Sequence, residues 1–178
     1  IQRHTGTTIV QITHHFDDVF ALADRIAIMR DGRIVQVGET SEVFLHPSNT
    51  FVAEFLGIGN IIRGNSSRSG NIARITTRSG PVFYAASSIV GEVVATLHAE
   101  DVILSQAPFA SSARNCLSGT VTEIIPFGST VRIILDVGFP LTALLTRESC
   151  HDLQLEPGCN IYATFKASAV HVIPDIPG

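Results

Sequence analysis

A strict two-residue alternation runs through the last third of this chain. Val131, Ile133 and Leu135 alternate with Thr130, Arg132 and Ile134, and Ile161, Ala163 and Phe165 alternate with Tyr162, Thr164 and Lys166. Successive strand side chains point to opposite faces, so this period predicts strands with one face in a core. Gly119, Gly128 and Gly138 punctuate the region, and Glu156-Pro157-Gly158 supplies a turn before the last long strand. Short strands at such spacing close most economically into a small barrel, expected over residues 116–173.

The front of the chain follows a different rhythm. TIVQIT, residues 8–13, predicts a buried strand. Phe16, Val19, Phe20 and Ala23 then fall at i, i+3, i+4 and i+7 and predict a helix over 14–23. Arg25–Arg30 predicts a strand, Asp31-Gly32 a hairpin turn, and Arg33–Val37 the return, broken by Gly38. Thr40 is the expected cap of a short helix that stops before Pro47. Asn49 is the expected cap of another, carrying Phe51, Val52, Phe55 and Leu56 and ended by Gly57. This order suits the end of an α/β domain. Two strands cannot bury both faces, so the remainder of that domain is expected upstream or in a partner chain, with Phe51, Phe55 and Leu56 packing on it.

Between these regions, RGNSSRSGN is polar and Gly/Ser-rich and reads as a loop or hinge. IARITT, VFYAAS and GEVVATLH read as short strands, and Ser105–Ser112 as a connector. The 60–105 segment is expected to be a divergent copy of the barrel or a part strapped to it. The expected organisation is 1–57, 58–105 and 106–178.

Composition narrows function. The 178 residues are 45% hydrophobic and 16% charged, with net charge -4. That balance suits a packed structure and argues against a nucleic-acid partner, as does the lack of a basic cluster or a helix-turn-helix pattern. Cys116, Cys150 and Cys159 form no CxxC pair and are expected to be free thiols of a cytoplasmic protein, with no metal site. No apolar run approaches the roughly 20 residues of a membrane helix, and the start carries no signal-peptide pattern. Lys166 is the single lysine.

His14 stands after a predicted strand, where open α/β sheets bind ligands. The string ITHHFDDVFALADRIAIMRDGRIVQVGETSEVFLHPSNTFVAEFLG, within a match over residues 7–57, resembles the last part of the nucleotide-binding domain of ABC importer ATPases. His14 matches the family's switch histidine, with His15 where the family has Asp. Asp24-Arg25 and Asp31-Gly32-Arg33 match the strand and hairpin that follow. The resemblance implies that His14 contacts the γ-phosphate of ATP in a longer parent that also binds Mg. A phosphate loop, the signature motif and the catalytic carboxylate are missing from these residues, so this chain by itself is not expected to hydrolyse ATP.

From SSARN at 111–115 to about 173, the chain resembles the molybdate/tungstate-binding MOP/TOBE barrel that follows such ATPase domains. Ser112-Ala113-Arg114-Asn115, Thr146–Ser149 and Lys166-Ala167-Ser168 carry the resemblance, and HAEDVILS at 98–105 resembles the R-P-E-D stretch before such units. The expected fold is therefore an α/β remnant followed by an all-β, OB-like small barrel. A tetrahedral dianion offers only acceptor oxygens, so its site needs convergent donors. Ser112 and Ser168 offer hydroxyls, Lys166 a charge, Arg114 and Asn115 donors or loop anchors, and Ala113 and Ala167 backbone amides.

The resemblance implies a homodimer that meets transmembrane permease subunits at the cytoplasmic side of the membrane, with molybdate or tungstate as a ligand that restrains transport. Two alternatives remain at this point. One is a purely structural dimerisation and coupling domain of an importer for sulfate, sugar, polyamine or iron. The other is an oxyanion-storage module.

Overall fold

The computed structural model describes residues 6–175, which divide into two compact units, 6–46 and 47–175. In the first unit, helix α1 (Phe16–Leu22) begins after His15, whose side chain makes no cap hydrogen bond. Strands β1 (Arg25–Arg30) and β2 (Arg33–Glu39) form an antiparallel hairpin. Its turn has positive φ at both Asp31 (51°) and Gly32 (75°), the geometry whose twist matches that of the flanking strands. Helix α2 (Thr40–Leu45) returns over the hairpin. Phe44 is buried, and the rings of Phe16 and Phe20 lie 5.7 and 4.1 Å from it.

Three local expectations are corrected here. Residues 8–13 form no strand, and Val10 and Ile12 are 88% and 96% exposed. No described strand lies beside this run to accept its hydrogen bonds, and a lone strand is not stable in water. Gly38 sits inside β2 rather than breaking it, because a Cβ there would meet Val43 Cγ2 of α2 at 2.9 Å. Thr40 is the first residue of α2 and Glu39 its cap; the Thr40 hydroxyl donates instead to the Ala23 carbonyl at 2.7 Å.

In the second unit, Asn49 caps helix α3 (Thr50–Phe55), its side chain accepting from the Val52 amide at 3.0 Å. Gly57, at φ 70°, ends the helix. Ten strands follow in two five-stranded antiparallel sheets. The first holds β3 (Asn60–Ser69), β4 (Ile72–Thr77), β5 (Val82–Ala85), β6 (Gly91–Leu97) and β12 (His171–Pro174), in the order β12-β6-β3-β4-β5. The second holds β7 (Ile103–Ser105), β8 (Asn115–Phe127), β9 (Thr130–Asp136), β10 (Pro140–Thr146) and β11 (Asn160–Phe165), in the order β10-β9-β8-β11-β7. Helix α4 (Arg147–Asp152) is capped by Thr146, whose Oγ1 accepts from the Ser149 amide.

RGNSSRSGN is strand as far as Ser69, with a turn at Gly70-Asn71, and not a hinge. Its inward positions are small: a Cβ on Gly64 would meet the Thr76 carbonyl at 2.7 Å, and the buried Ser66 hydroxyl donates to the Ile89 carbonyl at 2.7 Å. A satisfied hydroxyl and a missing Cβ let a polar string run through a packed sheet. Gly119 likewise lies within β8, where a Cβ would meet the Asp136 carbonyl at 2.7 Å.

The two sheets are copies of one pattern that exchange their last strands. β3 lies between β4 and β6 as β8 lies between β9 and β11, while β12 completes the first sheet and β7 the second. Each copy opens with Asn and has Gly four residues on, Asn60–Gly64 and Asn115–Gly119. Thr96-Leu97-His98-Ala99 corresponds to Thr164-Phe165-Lys166-Ala167, and a single 3-10 turn follows each, Ala99–Asp101 and Ala167–Ala169. The inward faces share one core, with Ile75, Phe83, Val93 and Leu97 from one sheet and Ile133, Leu135, Leu141 and Phe165 from the other. Phe83 meets Phe165 at a ring distance of 6.2 Å.

Candidate functional site

Asn115 organises the candidate site. It is 2% exposed, yet its amide is satisfied on both sides. Its Nδ2 donates to the Tyr84 carbonyl at 2.9 Å and its Oδ1 accepts from the Tyr84 amide at 2.7 Å. A side-chain amide matches a backbone peptide in this way, so Asn115 closes β5 onto the start of β8 as an extra rung of sheet. Asn60 does the same in the other copy, accepting from the Thr142 amide at 2.6 Å and donating to the Thr142 carbonyl at 2.9 Å and the Leu97 carbonyl at 3.1 Å.

The register brings the two candidate segments together. β8 and β11 pair Asn115 with Phe165, so the chain entering β8 from Ser112–Arg114 and the chain leaving β11 into Lys166–Ser168 meet at the same end of one ladder. The Ala86 amide then donates to the Ala167 carbonyl at 2.8 Å, tying the second segment to the end of β5. Ser112, Arg114, Lys166 and Ser168 are exposed, and Ala113 and Ala167 half-buried. Lys166 caps the 3-10 turn and its carbonyl accepts from the Ala169 amide at 3.1 Å. The first amides of such a turn have no carbonyl within it to bond. Chemically, the arrangement offers hydroxyls, two cationic groups and backbone amides beside a rigid Asn–Tyr rung.

His14 belongs to the first unit. It is exposed, with its ring 4.2 Å from that of His15. Thr146 and Ser149 lie at the start of α4 and line a shallow cleft with Ile103, Leu144 and Asp152. The three cysteines are free. Burial raises the Cys150 thiol pKa, and Cys159 nearby raises it further. Among the described residues no group of His, Cys, Asp and Glu is placed to hold a metal ion, and no helix is long and apolar enough to cross a membrane.

Tyr84 and Ala86, which border the candidate site, escaped sequence reasoning. The signal for them is the internal repeat: aligning Asn60 with Asn115 makes each Asn seek a strand of the other copy.

A family profile for the TOBE domain matches residues 111–172, the span that holds both segments. Residues 111–172 are a TOBE domain. The molybdate/tungstate import ATP-binding protein WtpC of Pyrococcus abyssi is 38% identical over 172 residues, covering 96% of this chain and 48% of that protein. The spermidine/putrescine import ATP-binding protein PotA of Nostoc sp. is 28% identical over 144 residues, 77% of this chain and 38% of that protein. The chain thus spans about half the length of the WtpC relatives it matches and corresponds to their C-terminal part.

Among solved structures, the cytoplasmic molybdate-binding protein ModG with molybdate bound aligns at a TM-score of 0.58 and 28% identity. The alignment covers 66% of this chain and 98% of that one. About two thirds of this chain, 66%, therefore shares the ModG fold.

Proposed function

We propose that this chain is the C-terminal part of the ATP-binding subunit of a molybdate/tungstate importer, and that its TOBE domain binds the cytoplasmic oxyanion and restrains transport. The observation that carries this reading is the convergence of Ser112–Asn115 and Lys166–Ser168 on the Asn115–Tyr84 rung. Identity to WtpC along nearly the whole chain supports it, as does the fold shared with ModG.

Lys166 supplies the charge, Ser112 and Ser168 the hydroxyl donors, and Arg114 the guanidinium. The amides at Ala113 and Ala167 complete a cradle for a tetrahedral dianion, and Asn115 fixes its shape. In the longer parent, residues 1–57 end the nucleotide-binding domain, His14 faces the γ-phosphate, and ATP and Mg bind mainly upstream. The linker and first β subregion, 58–105, and the barrel, 106–178, form the regulatory part. The parent is a homodimer held peripherally at the cytoplasmic face of the membrane by permease subunits, with no nucleic-acid partner.

A calorimetric titration of the chain with molybdate, tungstate and sulfate tests the reading. It predicts saturable binding of the first two and far weaker binding of sulfate. A well-folded chain that binds none of the three would contradict it and leave the barrel as a coupling scaffold.

A further inference from the structure

We propose that a second site, the cleft between Arg63 and Arg78, binds a small organic carboxylate with an apolar body. The cleft has a volume of about 240 Å³ and lies where β3, the turn after β4 and the start of β10 meet. Ile62, Phe139 and Pro140 line it together with Arg63 and Arg78.

The turn that carries Arg78 is fixed. The Thr77 amide and hydroxyl both donate to the Pro81 carbonyl at 3.0 Å, and the Gly80 amide donates to the Thr77 carbonyl at 3.1 Å. The Thr77 and Ser79 hydroxyls are 3.2 Å apart. Arg78 therefore projects from a pre-organised loop, and it makes no ion pair among the described residues. Arg63 Nε lies 3.6 Å from Asp175 Oδ2, a long contact that leaves the rest of its fork available.

Charge selects the ligand. Two guanidinium groups against one carboxylate leave the cleft with a single net positive charge, which suits a monoanion. The planar fork of Arg matches a carboxylate by two parallel hydrogen bonds, and the apolar lining rewards a hydrophobic body. A divalent tetrahedral oxyanion can also meet an Arg fork, but it has no apolar body and carries one charge more than the cleft balances, which separates this cleft from the cradle proposed above.

The internal repeat supplies a control. Gly64 pairs with Thr77 as Gly119 faces Val137, so the counterparts of Arg63 and Arg78 are Ser118 and Gly138. The same fold is built there without either charge. The arginines are therefore not a requirement of the architecture.

Amide chemical-shift titration of the full chain with benzoate is the test, with benzyl alcohol as the neutral comparison. Benzoate is expected to shift Ile62, Arg63, Arg78 and Ser79 saturably, while benzyl alcohol and molybdate do not. Arg78→Gln and Arg63→Gln are each expected to weaken benzoate about tenfold or more, the loss of a charge-assisted bond, with the circular dichroism spectrum unchanged. No saturable shift at these residues would overturn the proposal. So would equal binding of benzyl alcohol, competition by molybdate, or unaltered benzoate binding in both variants. Because benzoate and molybdate are read at different residues, failure here leaves the oxyanion reading untouched, and the converse holds.

Discussion

Asn115 makes a rung of sheet out of a side chain, and its removal has a calculable consequence. Asn115→Ala leaves the partly buried Tyr84 amide and carbonyl without these partners. The expected loss is about 1–3 kcal/mol of unfolding free energy, from two hydrogen bonds, read as a lower midpoint in urea denaturation. An unchanged midpoint would mean that the rung carries no stability.

Cys150 gives a second test at this scale. Its thiol pKa is raised in the folded chain by burial and then by Cys159. The folded state thus favours the protonated thiol. Its contribution to stability is fully present below the ordinary thiol pKa and is lost as pH rises through the raised folded value. Stability should therefore be indifferent to this group at neutral pH and decline in alkaline solution. Exposed Cys116 should react with iodoacetamide well before half-buried Cys150, an order that peptide mass spectrometry reads directly.

At the scale of the element, close approach explains what composition obscures. Gly64 and Gly119 lie in mid-strand because the facing carbonyls of Thr76 and Asp136 would sit 2.7 Å from a Cβ. Gly64→Ala and Gly119→Ala should each destabilise the chain by about 1–3 kcal/mol, the usual cost of overpacking, measured by thermal denaturation.

The same contacts show why the sequence was legible in some places and not in others. The alternation at 130–135 and 161–165 announced β9 and β11, Asp31-Gly32 announced its hairpin, and Asn49 and Gly57 announced both ends of α3. Periodicity failed for RGNSSRSGN because its buried positions hold Gly and Ser, whose burial depends on partners distant in the chain. It failed in the opposite sense for TIVQIT, whose strand propensity finds no described neighbour. The candidate segments Ser112–Asn115 and Lys166–Ser168 were visible as strings. Their nearness, and the part played by Tyr84 and Ala86, depend on the β8–β11 register and the exchange of β5 contacts, which no local pattern encodes.

For the whole molecule, the decisive fact is the exchange of β7 and β12 between the two copies. β7 pairs with β11 and β12 with β6, so neither copy completes its sheet from its own residues. Cleavage within the connector 106–112 should leave two fragments that co-elute in gel filtration and separate only on denaturation. Fragments that part under native conditions would show that the shared core is weaker than its extent implies.

The repeat also provides the most direct test of the oxyanion cradle. His98 and Glu100 occupy in the first copy the places of Lys166 and Ser168 in the second. The measurement is tungstate affinity by calorimetry in four variants: Lys166→Ala, Ser168→Ala, His98→Ala and Glu100→Ala. A loss of about tenfold or more is expected for each of the first two, where a charge-assisted or hydroxyl donor is removed, and unchanged affinity for the last two. Wild-type affinity in Lys166→Ala and Ser168→Ala, or a loss confined to the His98 and Glu100 variants, would contradict it.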